Sequence, residues 1–342
     1  MKIQKITVAL LTLLIVSLCG SGNIMADDPP DSCPPLPEAL DAMESDSAVT
    51  VETVEVEVWE EDSNFYYAFE PKNADPTVGF IIYPGAFVAP IAYAPPAHAI
   101  AAEGFLTVII KMRGDLALGK NLTRADRVMS DYAGIEKWIV GGHSMGGAGA
   151  CSYAKDFTEN VVGVVLWASY PTEIFRIDDK DLKAISIYGT KNLNIENFAA
   201  SAEHLPPNTP FVIIEGGNHS QFGWYDASLC PEGMDRTPAD ITIEEQQEII
   251  IQSTVDFLKQ FDPSSSTCSA EKIYGVYSEE TKHLRFFRDN VLNKTQEGRE
   301  LIRLYYKWSP AIVKAMEEDE EFEEWVKEMI DGVLPLIKGE VE

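Results

Sequence analysis

Residues 139–150, IVGGHSMGGAGA, contain a G-x-S-x-G pattern: Gly142, His143, Ser144, Met145 and Gly146. A short apolar run precedes the pattern, and a helix start rich in small residues follows it. A serine in such a strand-to-helix turn has its hydroxyl exposed at the carboxyl edge of a sheet, beside a helix N-terminus that favours negative charge. The turn is sharp, so its neighbours must lack bulk. The chemistry this suits is attack by Ser144 on a carbonyl carbon. A glycine-rich turn merely capped by serine would share the pattern, but the flanking strand and helix favour the nucleophile.

A nucleophilic serine needs a base, and the chain has five histidines. His143 adjoins Ser144 and should point away from it. His98 and His204 fall in helical stretches, and His283 lies far downstream. His219 remains, in VIIEGGNHSQFGWY, where Gly216 and Gly217 let a loop carry the imidazole over the serine. A developing oxyanion needs two N–H donors. One is the amide of Met145. The other belongs to the loop PGAFV, where Gly85 permits close approach and Ala86 or Phe87 donates, Ala86 being the preferred choice.

These residues require a scaffold that brings several strand ends together. VTVETVEVEVW and NFYYAFEP alternate with period two, as an antiparallel pair with one wet face would. Short apolar runs then follow: VGFIIYP, LTVIIKM, KWIVGGH, VVGVVLWAS, AISIYG and PFVIIEGG. Each reads as a parallel strand buried on both faces. Helical stretches near 94–103, 121–132, 146–156 and 196–204 alternate with them, and TIEEQQEIIIQSTVDFLKQF closes the unit near Phe261. The expected fold class is α/β, with a doubly wound, mostly parallel sheet followed by a small all-α C-terminal module. The expected divisions are a signal peptide over 1–26, an irregular leader over 27–47, the α/β domain over 48–261, a linker over 262–267 and the helical module over 268–342.

Together, the PG loop, the G-H-S-M-G elbow, LWASYP and EGGNHSQFGWY resemble the α/β-hydrolase fold, specifically the dienelactone-hydrolase-like group of small lidless serine hydrolases. The likeness runs over about residues 48–261. It implies hydrolysis of a small ester or lactone, no cofactor and no metal. The segment CSAEKIYG…HLRFFRDNVL…GRELIRLYYKWSP resembles a C-terminal helical module of bacterial exported proteins, the CFI-box type, whose Cys-Phe-Ile start is here Cys268-Ser-Ala. That likeness implies a bacterial source and an envelope or secreted location; a protein partner through this module belongs to the rival reading, a weak or inactive binding protein of the same fold.

In this fold the acid follows the next-to-last strand and precedes the histidine. The family pattern there is G-T-x-D. This chain has Gly189-Thr190-Lys191-Asn192. An asparagine oxygen can accept the imidazole N–H but supplies no charge. In a serine protease, that replacement lowers turnover about 10⁴-fold. Asn192 is the expected occupant of the slot. Glu173 and Glu196 are alternative acids, with Asp178 and Glu215 behind them. About fourteen residues separate LWAS from AISIYG, which leaves no room for a large lid. The site should be shallow, walled by Phe87, Tyr170, Phe222 and Trp224.

Composition bounds the rest. The chain has 342 residues, 45% hydrophobic, with net charge −28 and pI about 4.5. So acidic a chain has no electrostatic footprint for nucleic acid or anionic lipid. Lys2 and Lys5 followed by an apolar run over 6–18 have signal-peptide organisation, with cleavage expected after Ala26 and export as the result. Lipidation at Cys19 is disfavoured because Leu18 is not small. No mature transmembrane segment is expected. Cys151 should be an inert buried thiol, and Cys230–Cys268 is the favoured disulfide among Cys33, Cys230 and Cys268.

Overall fold

The computed structural model describes residues 32–57, 64–72, 74–156, 159, 161–262, 269–275, 278–292 and 295–338. The expected signal peptide, its cleavage point, Cys19, most of the linker and Cys268 lie outside the described residues.

The sheet has eight strands: β1 (Val49–Glu55), β2 (Phe65–Pro71), β3 (Val78–Tyr83), β4 (Leu106–Ile110), β5 (Lys137–His143), β6 (Val161–Trp167), β7 (Lys183–Gly189) and β8 (Phe211–Ile214). Their order is β1-β2-β4-β3-β5-β6-β7-β8. β1 pairs antiparallel with β2, and β2 antiparallel with β4. All later pairings are parallel. β3 and β4 are buried along their whole length, as continuous apolar runs in a covered parallel sheet should be. β8 departs from that expectation. It is the edge strand, and Ile213 is 55% exposed.

Two hydrophobic layers cover the sheet. One face packs against α2 (Ala94–Ala102) and α6 (Ile243–Lys259). The other packs against α3 (Arg124–Asp131) and α4 (Met145–Asp156). A capping box starts α6: Thr242 Oγ1 accepts the Glu245 N–H, and Glu245 Oε2 accepts the Thr242 N–H. A short α5 (Glu196–Ala200) follows β7.

The leader differs from the irregular segment expected. It holds a one-turn helix, α1 (Pro37–Asp41), and its residues 33–36 form a strap across the sheet's carboxyl edge. Cys33 N–H donates to Phe87 O at 2.6 Å, Leu36 N–H to Trp224 O at 2.9 Å, and Asp226 N–H to Pro34 O at 3.0 Å. The strap is tied covalently by a Cys33–Cys230 disulfide, which replaces the expected Cys230–Cys268 pairing. Folding brings Cys33 alongside Cys230 across a sequence separation of 197. Cys151 is a free, buried thiol whose burial pushes its pKa up.

The C-terminal helices are α7 (Ser269–Tyr274), α8 (Glu279–Asn290), α9 (Gln296–Glu318) and α10 (Glu320–Lys338). Arg285 of α8 joins them to the sheet domain. Its guanidinium lies 2.7 Å from Asp256 of α6 and 2.8 Å from Glu271 of α7. No helix among the described residues is long and apolar enough to cross a membrane.

Candidate active site

Ser144 stands between β5 and α4 with φ 54°, a left-handed conformation that costs a non-glycine residue energy and persists only where its surroundings enforce it. Here they do. The Ser144 N–H donates to Trp167 O at 2.9 Å, and its carbonyl accepts from Ser169 Oγ at 2.6 Å. The flanking glycines are required by space. A Cβ on Gly142 or Gly146 would lie 2.1 or 2.0 Å from Tyr83 O. The end of β3 therefore presses directly on the elbow.

The oxyanion loop follows β3. The Phe87 N–H is already committed to Asp115 O at 3.0 Å. Of the two expected donors this leaves Ala86. Among the described residues neither the Ala86 nor the Met145 N–H has a hydrogen-bond partner. Met145 opens α4, where the first N–H groups have no intrahelical acceptor. The Gly85 N–H is held by Tyr93 Oη at 2.9 Å, and Tyr93 Oη lies 2.9 Å from His143 Nδ1. The tyrosine hydroxyl accepts the Gly85 N–H, and its contact with His143 takes its direction from the imidazole tautomer.

His143 points beneath the elbow, as expected. Its ring stacks on Phe222, with centroids 5.8 Å apart, and lies 4.5 Å from the His219 ring. Burial, with the neighbouring His219, holds its pKa well below the ordinary value. Phe222 is fully buried here, so it supports the site from below and does not wall it, contrary to expectation. Trp224 is 9% exposed and carries the strap on its carbonyl. Phe87 and Tyr170 are half-buried. The Tyr170 hydroxyl accepts from Asn197 Nδ2 at 2.9 Å. Only one 3₁₀ turn, Glu173–Phe175, lies between β6 and β7, so no lid arises there.

His219 sits in a loop held firmly by its neighbours. Gln246, buried in α6, clamps the Asn218 backbone at both ends, accepting its N–H at 2.9 Å and donating to its carbonyl at 2.9 Å. The turn after β7 is fastened to the same loop. Lys191 N–H donates to Gly217 O at 2.8 Å, and Gly216 N–H donates to Thr190 Oγ1 at 2.8 Å. Asn192, 6% exposed, lies with its amide nitrogen 3.0 Å from His219 Nδ1. Its Oδ1 does not face the imidazole as expected, because that oxygen accepts the Gly189 N–H at 2.8 Å.

Neither alternative acid reaches the histidine. Glu173 is exposed and pairs with Arg176 and His204. Glu196 begins α5 on the surface. Asp178 is bound to Arg176, and Glu215, exposed, accepts from Thr190. A carboxylate that sequence reasoning did not single out, Asp235, has its charge near His219. It accepts the Leu193 N–H at 3.3 Å and the Thr237 N–H at 2.9 Å. Burial lowers the His219 pKa, and the Asp235 charge opposes that shift. Asp235 lies five residues past Cys230, which the disulfide ties to Cys33.

Residues 79–248 match the model of the Alpha/beta hydrolase family. The fold of the sheet domain is the α/β-hydrolase fold. Among solved structures, a putative dienelactone hydrolase from Klebsiella pneumoniae is similar at 15% identity, covering 63% of this chain and 100% of its own, with TM-score 0.48. Esterase B from Lactobacillus rhamnosis is similar at 14% identity, over 66% of this chain and 91% of its own, with TM-score 0.45. A predicted CIB-like hydrolase from Thermoplasma acidophilum is similar at 14% identity, over 62% and 98%, with TM-score 0.45. No curated protein matches the chain in sequence.

Proposed function

We propose that this chain is an exported serine hydrolase that cleaves small esters or lactones through an acyl-enzyme on Ser144. The observation that carries the reading is the elbow: Ser144 at a positive φ, beside two N–H groups, of Ala86 and Met145, with no partner among the described residues. Ser144 Oγ attacks the carbonyl carbon while His219 takes its proton. The carbonyl oxygen, now negative, rests on the two amides. The intermediate collapses, the C–O bond to the alcohol breaks, and His219 returns the proton to the leaving oxygen. Water then repeats the sequence and frees the acid. The open rim, with Phe87 and Tyr170 half-exposed, suits a short acyl group. Trp308, Trp325 and Leu336 are exposed on the C-terminal helices and are the candidate contacts for a protein partner.

A second reading has its own observation. Asn192 turns a donor toward His219, which favours a weak or inactive hydrolase-fold binding protein. Fluorophosphonate labelling of wild type against Ser144→Ala separates the two. Ser144-dependent labelling, with hydrolysis of a short nitrophenyl ester, is expected. Absence of both sinks the enzyme reading.

A further inference from the structure

Asn192 has two neighbours that fix which way its amide points. On one side is the Gly189 N–H, a backbone donor that can only donate, 2.8 Å from Asn192 Oδ1. On the other is His219 Nδ1, 3.0 Å from Asn192 Nδ2. Turning the amide over would set its NH₂ against the Gly189 N–H, donor against donor in a buried turn, and leave that peptide group unsatisfied. Asn192 is itself 6% exposed, so water cannot easily repair the mismatch. The turn also has no slack to escape it. Gly189 packs so closely on the histidine loop that a Cβ would lie 2.1 Å from Gly217 O. The Lys191 and Gly216 N–H bonds lock the two segments together on either side of Asn192.

We infer that Asn192 is a tautomer lock: held by the Gly189 N–H, its amide donates to His219 Nδ1 and keeps the neutral imidazole protonated on Nε2. The general-base step needs the reverse arrangement, with the proton on Nδ1 and a lone pair on Nε2 to receive the Ser144 proton. Imidazolium is disfavoured too, because its Nδ1–H would meet the Asn192 NH₂. In keeping with this, among the described residues Asn192 is the hydrogen-bond partner of the His219 ring, and Ser144 Oγ makes no hydrogen bond to it. The lock is one atom deep. An aspartate in the same place would accept the Gly189 N–H on one oxygen and the His219 Nδ1–H on the other, with no backbone change. The inference rests on the proposed Ser144–His219 chemistry for its functional meaning, but not for its physical content.

The test pairs a spectroscopic readout with a kinetic one. Nitrogen-15 NMR of the full chain, with imidazole resonances assigned by His219→Gln, should show His219 as the Nε2–H tautomer at neutral pH. Asn192→Asp should convert it to Nδ1–H. The same substitution should raise nitrophenyl ester turnover by about 10² to 10⁴-fold, the scale on which the wrong tautomer costs a serine hydrolase. Nδ1–H in the wild type overturns the lock. So does an Asn192→Asp protein that stays on Nε2–H. Conversion of the tautomer without any rise in turnover overturns the claim that the lock limits catalysis. Failure of the hydrolase reading looks different: Nε2–H converts to Nδ1–H, yet Ser144 takes no fluorophosphonate in either protein.

Discussion

Two strand ends meet over the candidate site, one after β5 and one after β7. Both are tight turns that only glycine permits: Gly142 and Gly146 crowd Tyr83 O, and Gly189 crowds Gly217 O. Both are fixed by backbone hydrogen bonds to the neighbouring segment. Yet the β5 turn presents a strained serine beside two amides without partners, whereas the β7 turn presents a neutral amide whose oxygen is spent on its own backbone. The difference teaches that the scaffold for an acid is separable from the acid. Backbone hydrogen bonds fasten the β7 turn to the histidine loop, and one side-chain atom decides what the turn does to His219.

The sharpest way to break this contrast is on the elbow side. Ser144→Ala should lower ester turnover to background, a loss on the order of 10³-fold or more. A Ser144→Ala protein that retained turnover would mean that the strained elbow has no chemical purpose, and the two turns would then be alike.

The shared scaffold is tested next. Gly146→Ala and Gly189→Ala each drive a Cβ to about 2 Å from a backbone oxygen. Neither neighbour is a flexible side chain, so each should destabilise by about 3 kcal/mol, read as a fall in urea midpoint. Similar losses on both sides support equal construction of the two turns. A large loss at Gly146 with none at Gly189 would show that the β7 turn is loose, and a loose turn cannot lock a tautomer.

Gln246→Ala comes third. It frees both the N–H and the carbonyl of Asn218, inside a loop that Asn192 needs in place. An expected loss of about 2 kcal/mol follows from the unsatisfied peptide groups. Turnover should fall with it, because His219 is the next residue. A Gln246→Ala protein of unchanged stability would place the support of His219 elsewhere.

How much of this could be read in the chain depends on the range of the interaction. The apolar runs that become β3 to β7 bury both faces, so composition alone marks them, and the G-H-S-M-G turn follows from the small residues its sharpness demands. The vacancy at Asn192 was legible because it is a local departure in a local pattern. Its orientation was not, since that depends on a Gly189 N–H three residues back and on a histidine brought in by another strand. The strap at Cys33 and the position of Asp235 were hidden for the same reason. Cys33 and Cys230 are 197 residues apart, and nothing in their spacing prefers one partner over another. Phe222 looked like a wall because it lies near the histidine in sequence, but His143 offers its ring a buried stacking partner.

The smallest effect expected is in the pH dependence of stability, and it separates the two turns by sign. His143 and His219 both have pKa values lowered by burial. Below the ordinary histidine value of about 6.5 the unfolded chain binds protons that the folded chain refuses, so stability is present above that value and is lost as pH falls. Each group contributes a slope no steeper than about 1.4 kcal/mol per pH unit. Asp256 acts in the opposite sense. Burial raises its pKa to about 6, so the folded chain binds its proton first between about pH 4 and 6 and stability is regained there on acidification. The clean window is therefore about pH 6 to 7, where urea midpoints of the wild type should fall with pH. In that window Asn192→Asp should change the picture. A carboxylate on Nδ1 favours imidazolium, raises the His219 pKa, and makes its contribution present at low pH and lost as pH rises. The His143 contribution stays as it was and is now opposed by that of His219, so the slope should flatten. An Asn192→Asp slope as steep as that of the wild type would mean that a charge placed in the β7 turn does not reach His219, and the two turns would no longer share a site.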